Sequence, residues 1–348
     1  MPGNPIRLRE NPQVACEPMP RVFSGIQPTG DMHLGNYVGA VRRWVADQER
    51  HDAIYCVVDL HAMTLPYSPA ELAGRTRQTA LLLMAAGLDP TRCLLFVQSH
   101  VRAHTELTWL LNCVATFGEL RRMTQFKEKS EGQESVSAGL FDYPVLQVAD
   151  IVLYDTDQVP IGDDQRQHLE LARDVAIRFN TRFGDTFVVP EATFPPVGGR
   201  VMDLQNPTAK MSKSADSPQG TLLLLDPPEA VAKKLKSAVT DSGTDVRYDP
   251  ANKPGVSNLL EIHAAVTGRA VPDLEREFAE SGYGAFKTAV ADAVVEALRP
   301  LQESYTKLEA DPGEVDRQLA LGADKARAIA EPVLARAREA AGLLPPLG

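Results

Sequence analysis

Two stretches of this 348-residue chain carry residue types suited to handling phosphates. In the first, Ser24-Gly25-Ile26-Gln27-Pro28-Thr29-Gly30-Asp31-Met32-His33-Leu34-Gly35-Asn36-Tyr37, glycines and a proline separate a strand pattern from a helical one. Such a turn offers backbone N–H groups and a helix N-terminus to an anion in the crevice beyond the strand ends. Gly25 and Gly30 keep the gap of a Walker A loop, but Asp31 and Met32 stand where its Lys and Ser or Thr belong, and no G-x-G-x-x-G occurs. His33-Leu34-Gly35-Asn36 has a donor at each end and a glycine that lets a nucleotide approach the backbone. By itself it serves equally well as a helix-capping turn with a surface histidine. The second stretch, Lys210-Met211-Ser212-Lys213-Ser214, lies between Pro207 and Pro218 and offers two lysines and two hydroxyls to a polyphosphate. Lysine charge there would favour a departing pyrophosphate. A solvated basic linker has the same composition.

Several chemistries are excluded or left without support. Acidic residues number 46 against 36 Lys and Arg, a formal charge of -10, so any nucleic-acid partner needs a local basic patch. Four cysteines (Cys16, Cys56, Cys93, Cys113) form no C-x-x-C pair, which argues against zinc ribbons and disulfide scaffolds and for a reducing, cytoplasmic setting. His100 and His104 are four apart, but no H-E-x-x-H glutamate accompanies them, so a structural or surface role is expected and no metal site. Residues 1–20 carry five prolines and no apolar core, and are expected to be a disordered extension and not a signal peptide. The longest nearly apolar run, Thr79 to Leu88, is shorter than the ~18 residues a membrane span requires, so no membrane partner is expected.

The elements that must position these residues alternate in type. Strand patterns at Val22 to Ile26, Ala53 to Asp59, Cys93 to Gln98 and Gln158 to Ile161 are separated by helical patterns at Leu34 to Gln48, Pro69 to Ala86, Thr105 to Phe117 and Asp164 to Phe183. This predicts an α/β fold, a Rossmann-like parallel sheet over residues 21–215. Residues 118–139 are polar and charged and predict a long mobile connection. After a last strand at Thr221 to Leu225 the pattern is helical, with breaks at Pro254-Gly255, Gly282, Gly284, Pro300, Pro312, Gly313 and Gly322. Residues 216–348 therefore predict an all-helical C-terminal domain.

Taken together, the T-G-x-x-H-L-G-N element after the first strand and the distant KMSKS resemble the class I aminoacyl-tRNA synthetases. A third block narrows this: Asp142-Tyr143-Pro144-Val145-Leu146-Gln147-Val148-Ala149-Asp150-Ile151-Val152-Leu153-Tyr154, then Val159-Pro160-Ile161-Gly162-Asp163-Asp164-Gln165. It resembles the bacterial tryptophanyl-tRNA synthetases, as do Val58 to Thr64, Arg122 to Lys129 and Lys236 to Ser242. The resemblance runs from about Arg21 to Gly342.

The resemblance implies activation of L-tryptophan by ATP and then transfer to tRNA(Trp). The amino-acid carboxylate attacks the α-phosphorus and expels pyrophosphate, so no general base is needed, and Mg2+ bound through the phosphates is the expected counter-charge. It implies ATP contacts from Gln27, Pro28, Thr29, Gly35, Asn36, Gly162, Asp163, Asp164 and Val201, and from Lys210, Met211, Ser212, Lys213 and Ser214. Catalytic roles would fall to Gln27, His33, Asn36, Lys129, Lys210 and Lys213. Asp150 would accept the indole N–H, with Phe23, Gly25, Val159 and Ile161 around the rings, Gln147 on one wall, and Tyr143 and Gln165 near the α-amino group. Asp150 sits among Val148, Ala149, Ile151 and Val152, where an unpaired charge is expensive. On physical grounds a tyrosine hydroxyl would satisfy it as well. Gln147 stands where many members carry methionine. The resemblance also implies a homodimer, no DNA partner, and a helical half that binds the anticodon. Lys233, Lys234, Lys236, Arg121, Arg122, Arg336 and Arg338 are candidates for tRNA phosphates or for solvated helix faces. The alternatives are a tyrosyl-tRNA synthetase, a small nucleotidylyltransferase, which leaves KMSKS unexplained, and a non-catalytic RNA-binding paralogue, against which the intact Lys210, Lys213, Gln27 and Asp150 argue.

Overall fold

A computed structural model describes residues 19–131, 135–194, 201–212 and 218–345. The expected extension lies almost wholly outside these residues, as do Lys213 and Ser214. Five strands, β1 (Arg21–Ile26), β2 (Asp52–Val57), β3 (Leu94–Val97), β4 (Gln158–Pro160) and β5 (Glu191–Thr193), form one sheet in the order β3-β2-β1-β4-β5. All neighbours pair in parallel, with Gly25 opposite Cys56 and Val22 opposite Gln158. The chain order reverses between β1 and β4. In a parallel sheet that reversal opens a crevice at the carboxyl ends of the two strands. The turn after β1, beginning at Gln27, and the turn after β4, beginning at Ile161, therefore face one another across it.

Both faces of the sheet are covered. Tyr55, Val57, Leu95 and Val97 point into one apolar cluster, and Ile54, Cys56, Leu94 and Phe96 into the other, the two-residue period of a strand buried on both sides. The helix Pro69–Ala85 lines the first face, and Ala103–Asn112, Ala138–Val152 and Arg166–Phe183 line the second.

The helices beyond residue 218 share these cores. Gly282–Glu309 buries Phe286, Val290, Val294 and Leu298 in the first cluster. Pro312–Ala340 adds Val315 and Leu319 there and Ala326, Ala330, Val333 and Ala337 to the second, so it crosses the edge of the sheet. The crossing point is Gly322, where a methyl group would overlap the carbonyl oxygen of Leu95 on β3. Only a residue without Cβ lets the helix lie this close to an edge strand, and the helix shields the open edge from pairing.

Three expectations are corrected, and one strand carries no signal in the sequence. Thr221 to Leu225 is not a strand: it makes an isolated bridge from Leu223 to His33, with Leu222 and Leu224 buried beneath the first turn. Strand β5 had no signal because Glu191–Thr193 is short, with exposed Glu191 and Ala192. Within 118–139, the helices Phe117–Arg122 and Thr124–Ser130 replace much of the expected loop. Thr116 and Glu119 form a reciprocal capping box at the first of these, and Glu119 also takes a hydrogen bond from Arg178 Nη1 at 3.0 Å. Pro300 and Gly322 do not break helices but lie inside long ones whose apolar faces are buried. Tertiary packing there outweighs local propensity. No described helix is long and apolar enough to cross a membrane.

Candidate active site

At the end of β1, the His33-Leu34-Gly35-Asn36 turn closes on itself. Asn36 N–H donates to His33 Nδ1 at 3.3 Å and His33 N–H donates to Asn36 Oδ1 at 3.1 Å, a reciprocal cap that opens the helix Leu34–Asn36. The tetrapeptide is thus a capping turn, but His33 is buried and not a surface residue. Leu34 N–H donates to Leu222 O and Leu224 N–H to Met32 O, so the segment after KMSKS is laced to this turn.

The KMSKS segment begins in a small hairpin. Met211 N–H donates to Val201 O at 3.1 Å, and Lys210 bridges Met202. The hairpin turns at Asp203, whose Oδ1 accepts from the N–H groups of Gln205 and Asn206. Its root is clasped from the helix Pro254–Thr267: Asn258 Oδ1 accepts from Met202 N–H at 2.8 Å and Asn258 Nδ2 donates to Met202 O at 3.0 Å. Met211 is buried, and a Cβ placed on Gly35 would lie 3.8 Å from Met211 Cβ. The two motifs therefore meet, with Val201 beside them. Lys210 is exposed, while Ser212 is half-buried and its carbonyl accepts from Thr221 Oγ1.

Across the crevice, Tyr143, Gln147 and Asp150 follow one another at four- and three-residue steps along the helix Ala138–Val152 and share a face. Phe23, Val159 and Ile161 are buried in the same apolar cluster as Val148 and Ile151 beside Asp150. Asp150 is 1% exposed and held by three donors: His61 Nε2 donates to Oδ2 at 2.7 Å, while Gln98 Nε2 and His104 Nδ1 donate to Oδ1 at 2.6 and 2.7 Å. Burial alone would raise its pKa, but the two histidines and their hydrogen bonds hold the carboxyl well below the usual range. It is a buried anion at neutral pH. Tyr143 turns its ring edge to His61, and its hydroxyl reaches Gln125 and His168; burial pushes that phenol up to about 12.

Of the other predicted residues, Gln27 and Thr29 are half-buried, Pro28 is buried and Gly25 is exposed beside Val58. Gly162 and Asp164 are exposed at the end of β4, and Gln165 Nε2 donates to Asp164 Oδ2 at 2.9 Å. Lys129 lies in Thr124–Ser130 and Asp163 in a short turn, with side chains outside the described set. Among the basic candidates, Lys234 binds Asp226, Arg336 binds Asp155 and Thr186 O, and Arg338 binds Glu106, so these three brace the fold; Lys233 and Lys236 are exposed.

Sequence reasoning gave no role to His61, Gln98 or Tyr154, and took His104 for a structural or surface residue. His104 stands three and seven residues before the buried Leu107 and Leu111, on the apolar face of its helix, which is the pattern that marks it as internal.

The family described as tRNA synthetases class I (W and Y) matches residues 17–299. The chain belongs to this family. A Streptomyces avermitilis protein named tryptophan–tRNA ligase 2 is 56% identical over 329 residues, covering 94% of this chain and 98% of the relative. One from Caldanaerobacter subterraneus subsp. tengcongensis, named tryptophan–tRNA ligase, is 52% identical over 94% of this chain and 99% of its own length. Among solved structures, tryptophanyl-tRNA synthetase from Mycoplasma pneumoniae superposes with a TM-score of 0.85 at 36% identity, covering 94% and 98% of the two chains. The Campylobacter jejuni enzyme, complexed with ADP and tryptophan, gives 0.82 at 34% identity, covering 93% of this chain and all (100%) of its own.

Proposed function

We infer that this chain is a tryptophan–tRNA ligase, which joins L-tryptophan to ATP as tryptophanyl-adenylate with release of pyrophosphate and then passes tryptophan to the 3′-terminal ribose of tRNA(Trp). The observation that carries the reading is the contact between the HLGN turn and Met211, in a chain whose full-length relatives bear that name. The tryptophan carboxylate is already ionised and attacks the α-phosphorus directly, so the protein supplies alignment and charge. Gln27, Pro28, Thr29, Gly35, Asn36 and the Gly162 to Asp164 turn are proposed to seat ATP, with adenine against Val201. ATP enters with Mg2+ on its phosphates. Lys210 and Lys213, with Lys129 and the hydroxyls of Ser212 and Ser214, are proposed to hold the phosphates as negative charge moves onto pyrophosphate. His33 and Asn36 shape the turn through their reciprocal cap.

Asp150 is proposed to read the indole N–H, with Phe23, Gly25, Gln147, Val159 and Ile161 about the rings and Tyr143 and Gln165 toward the α-amino group. Transfer is proposed to use the ribose 2′-hydroxyl, with the helical region after residue 216 taking the anticodon and the exposed Lys233 and Lys236 meeting phosphate. We also propose a homodimer, working in the cytoplasm. The test is amino-acid-dependent exchange of pyrophosphate into ATP, run separately with tryptophan and tyrosine. Exchange with tryptophan is expected. Exchange with tyrosine alone would identify a tyrosyl enzyme, and exchange with neither would favour a non-catalytic RNA binder.

A further inference from the structure

A carboxylate can accept about four hydrogen bonds. Among the described residues Asp150 meets three donors: Gln98 and His104 on Oδ1 and His61 on Oδ2. That leaves one lone-pair direction, on Oδ2. His104 differs from the other two donors in being backed by a further group, because its Nε2 lies 2.8 Å from the Tyr154 hydroxyl and both side chains are completely buried. As a carboxylate Asp150 only accepts, so the ring proton sits on Nδ1, pointing at it; in the neutral ring Nε2 then holds the lone pair and accepts from the Tyr154 O–H. A protonated ring would make Nε2 a donor and strand the Tyr154 hydrogen among Phe23 and Phe96, whose rings lie 5.7 and 5.6 Å from that of Tyr154.

The geometry points to His104, oriented by Tyr154, as a positioning and specificity-determining residue that keeps Asp150 an acceptor-only carboxylate with a single open direction. The pocket then takes a side chain that brings a hydrogen-bond donor and refuses an apolar one of the same shape, because the last lone pair would be buried without a partner. This rests on the reading of Asp150 as the group that recognises tryptophan. The other groups around it do not compete for the role. Cys56 on β2 and Tyr154 are held protonated by burial with Asp150 nearby, and Tyr143, which carries His168 on its hydroxyl, is held so by burial chiefly. His61 approaches from the helix Asp59–Ala62, whose Asp59 is turned to Ser99.

The test measures tryptophan-dependent pyrophosphate exchange between about pH 6 and 8, beside the isostere β-(3-benzothienyl)alanine, which has sulfur where indole has N–H. In His104→Phe the carboxyl loses a donor and its pKa rises. The tryptophan KM is then expected to rise about 10- to 100-fold, with kcat changed far less. Preference over the isostere should shrink, since the carboxylate is no longer aimed by its buried donor. His104→Asn places an amide N–H where Nδ1–H was and is expected to restore a KM within about threefold of wild type. Should His104→Phe fail to fold, Tyr154→Phe carries the test, with a tryptophan KM that rises because Nε2 loses the hydroxyl that fixes the ring's tautomer and orientation. A wild-type KM in His104→Phe or Tyr154→Phe, or an Asn variant no better than Phe, would overturn the inference. Asp150→Asn separates the two levels. If it leaves the tryptophan KM unchanged, the reading of Asp150 itself fails. If it abolishes recognition while the His104 and Tyr154 variants behave as wild type, only the role of His104 falls.

Discussion

The two sides of the crevice are built in opposite ways. On the Asp150 side, a buried anion is held by three donors on three separate segments, and aromatic rings of Phe23, Phe96 and Tyr154 pack behind it. On the β1 side, Lys210 faces solvent, and the motif residues are positioned by backbone hydrogen bonds and a clasp on Met202. The difference follows from what each side is proposed to recognise. Selecting one uncharged side chain needs a dry, pre-formed acceptor, since only desolvation makes a missing hydrogen bond costly. Phosphoryl transfer needs charge delivered as the transition state forms, and an exposed lysine carries its charge at little cost until then.

The sharpest way to break this comparison is to exchange the signatures of the two sides. Asp150→Ala should lower kcat/KM for tryptophan by about 10³-fold or more. It should also lower the melting temperature, because His61, Gln98 and His104 lose their shared acceptor; activity loss with an unchanged Tm would refute a pre-formed site. Next, Lys213→Ala should slow activation by about 10²- to 10³-fold, while tryptophan affinity and Tm stay near wild type. Equal losses in rate and affinity would deny that lysine a transition-state role. A smaller effect is expected at the hairpin root. Asn258→Ala removes both clasps on Met202 and should reduce kcat by roughly three- to tenfold with little change in tryptophan KM, in single-turnover measurements.

The smallest expected effect lies outside the crevice. Glu119, hydrogen-bonded by Arg178 and by Thr116, has its carboxyl lowered from 4.5 to about 2. Its folded-state pKa is depressed, so its contribution is complete above about pH 4.5 and is lost as pH falls toward 2. Glu119→Gln should therefore cost about 1–2 kcal/mol at neutral pH, nothing near pH 2, and leave activation kinetics unchanged. Denaturant melts at the two pH values check the sign.

Much of this arrangement is legible in the chain itself. The alternation of apolar runs and amphipathic segments announces a parallel sheet, and the two phosphate motifs announce where its crevice lies, because both signals are local in sequence. What escapes is non-local. The acceptor state of Asp150 depends on His61, Gln98 and His104, which lie 89, 52 and 46 residues away. None of these stands in a pattern that names a partner. Glu191–Thr193 becomes a strand only because β4 offers it an edge. Lys234, Arg336 and Arg338 read as free cations until their carboxylate partners, two of them far off in the chain, come into view.

The glycine at the sheet edge bears on the order in which this protein can be made. Arg327 donates to the carbonyl of His100 across 227 residues of chain, beside the crossing of Gly322 over Leu95. While the chain emerges from the ribosome, β3 waits with its outer edge bare and part of each apolar cluster uncovered until the helix Pro312–Ala340 arrives. Covering of the β3 edge is thus a late, long-range event. A nascent chain stalled before that helix presents an open strand edge to any neighbour.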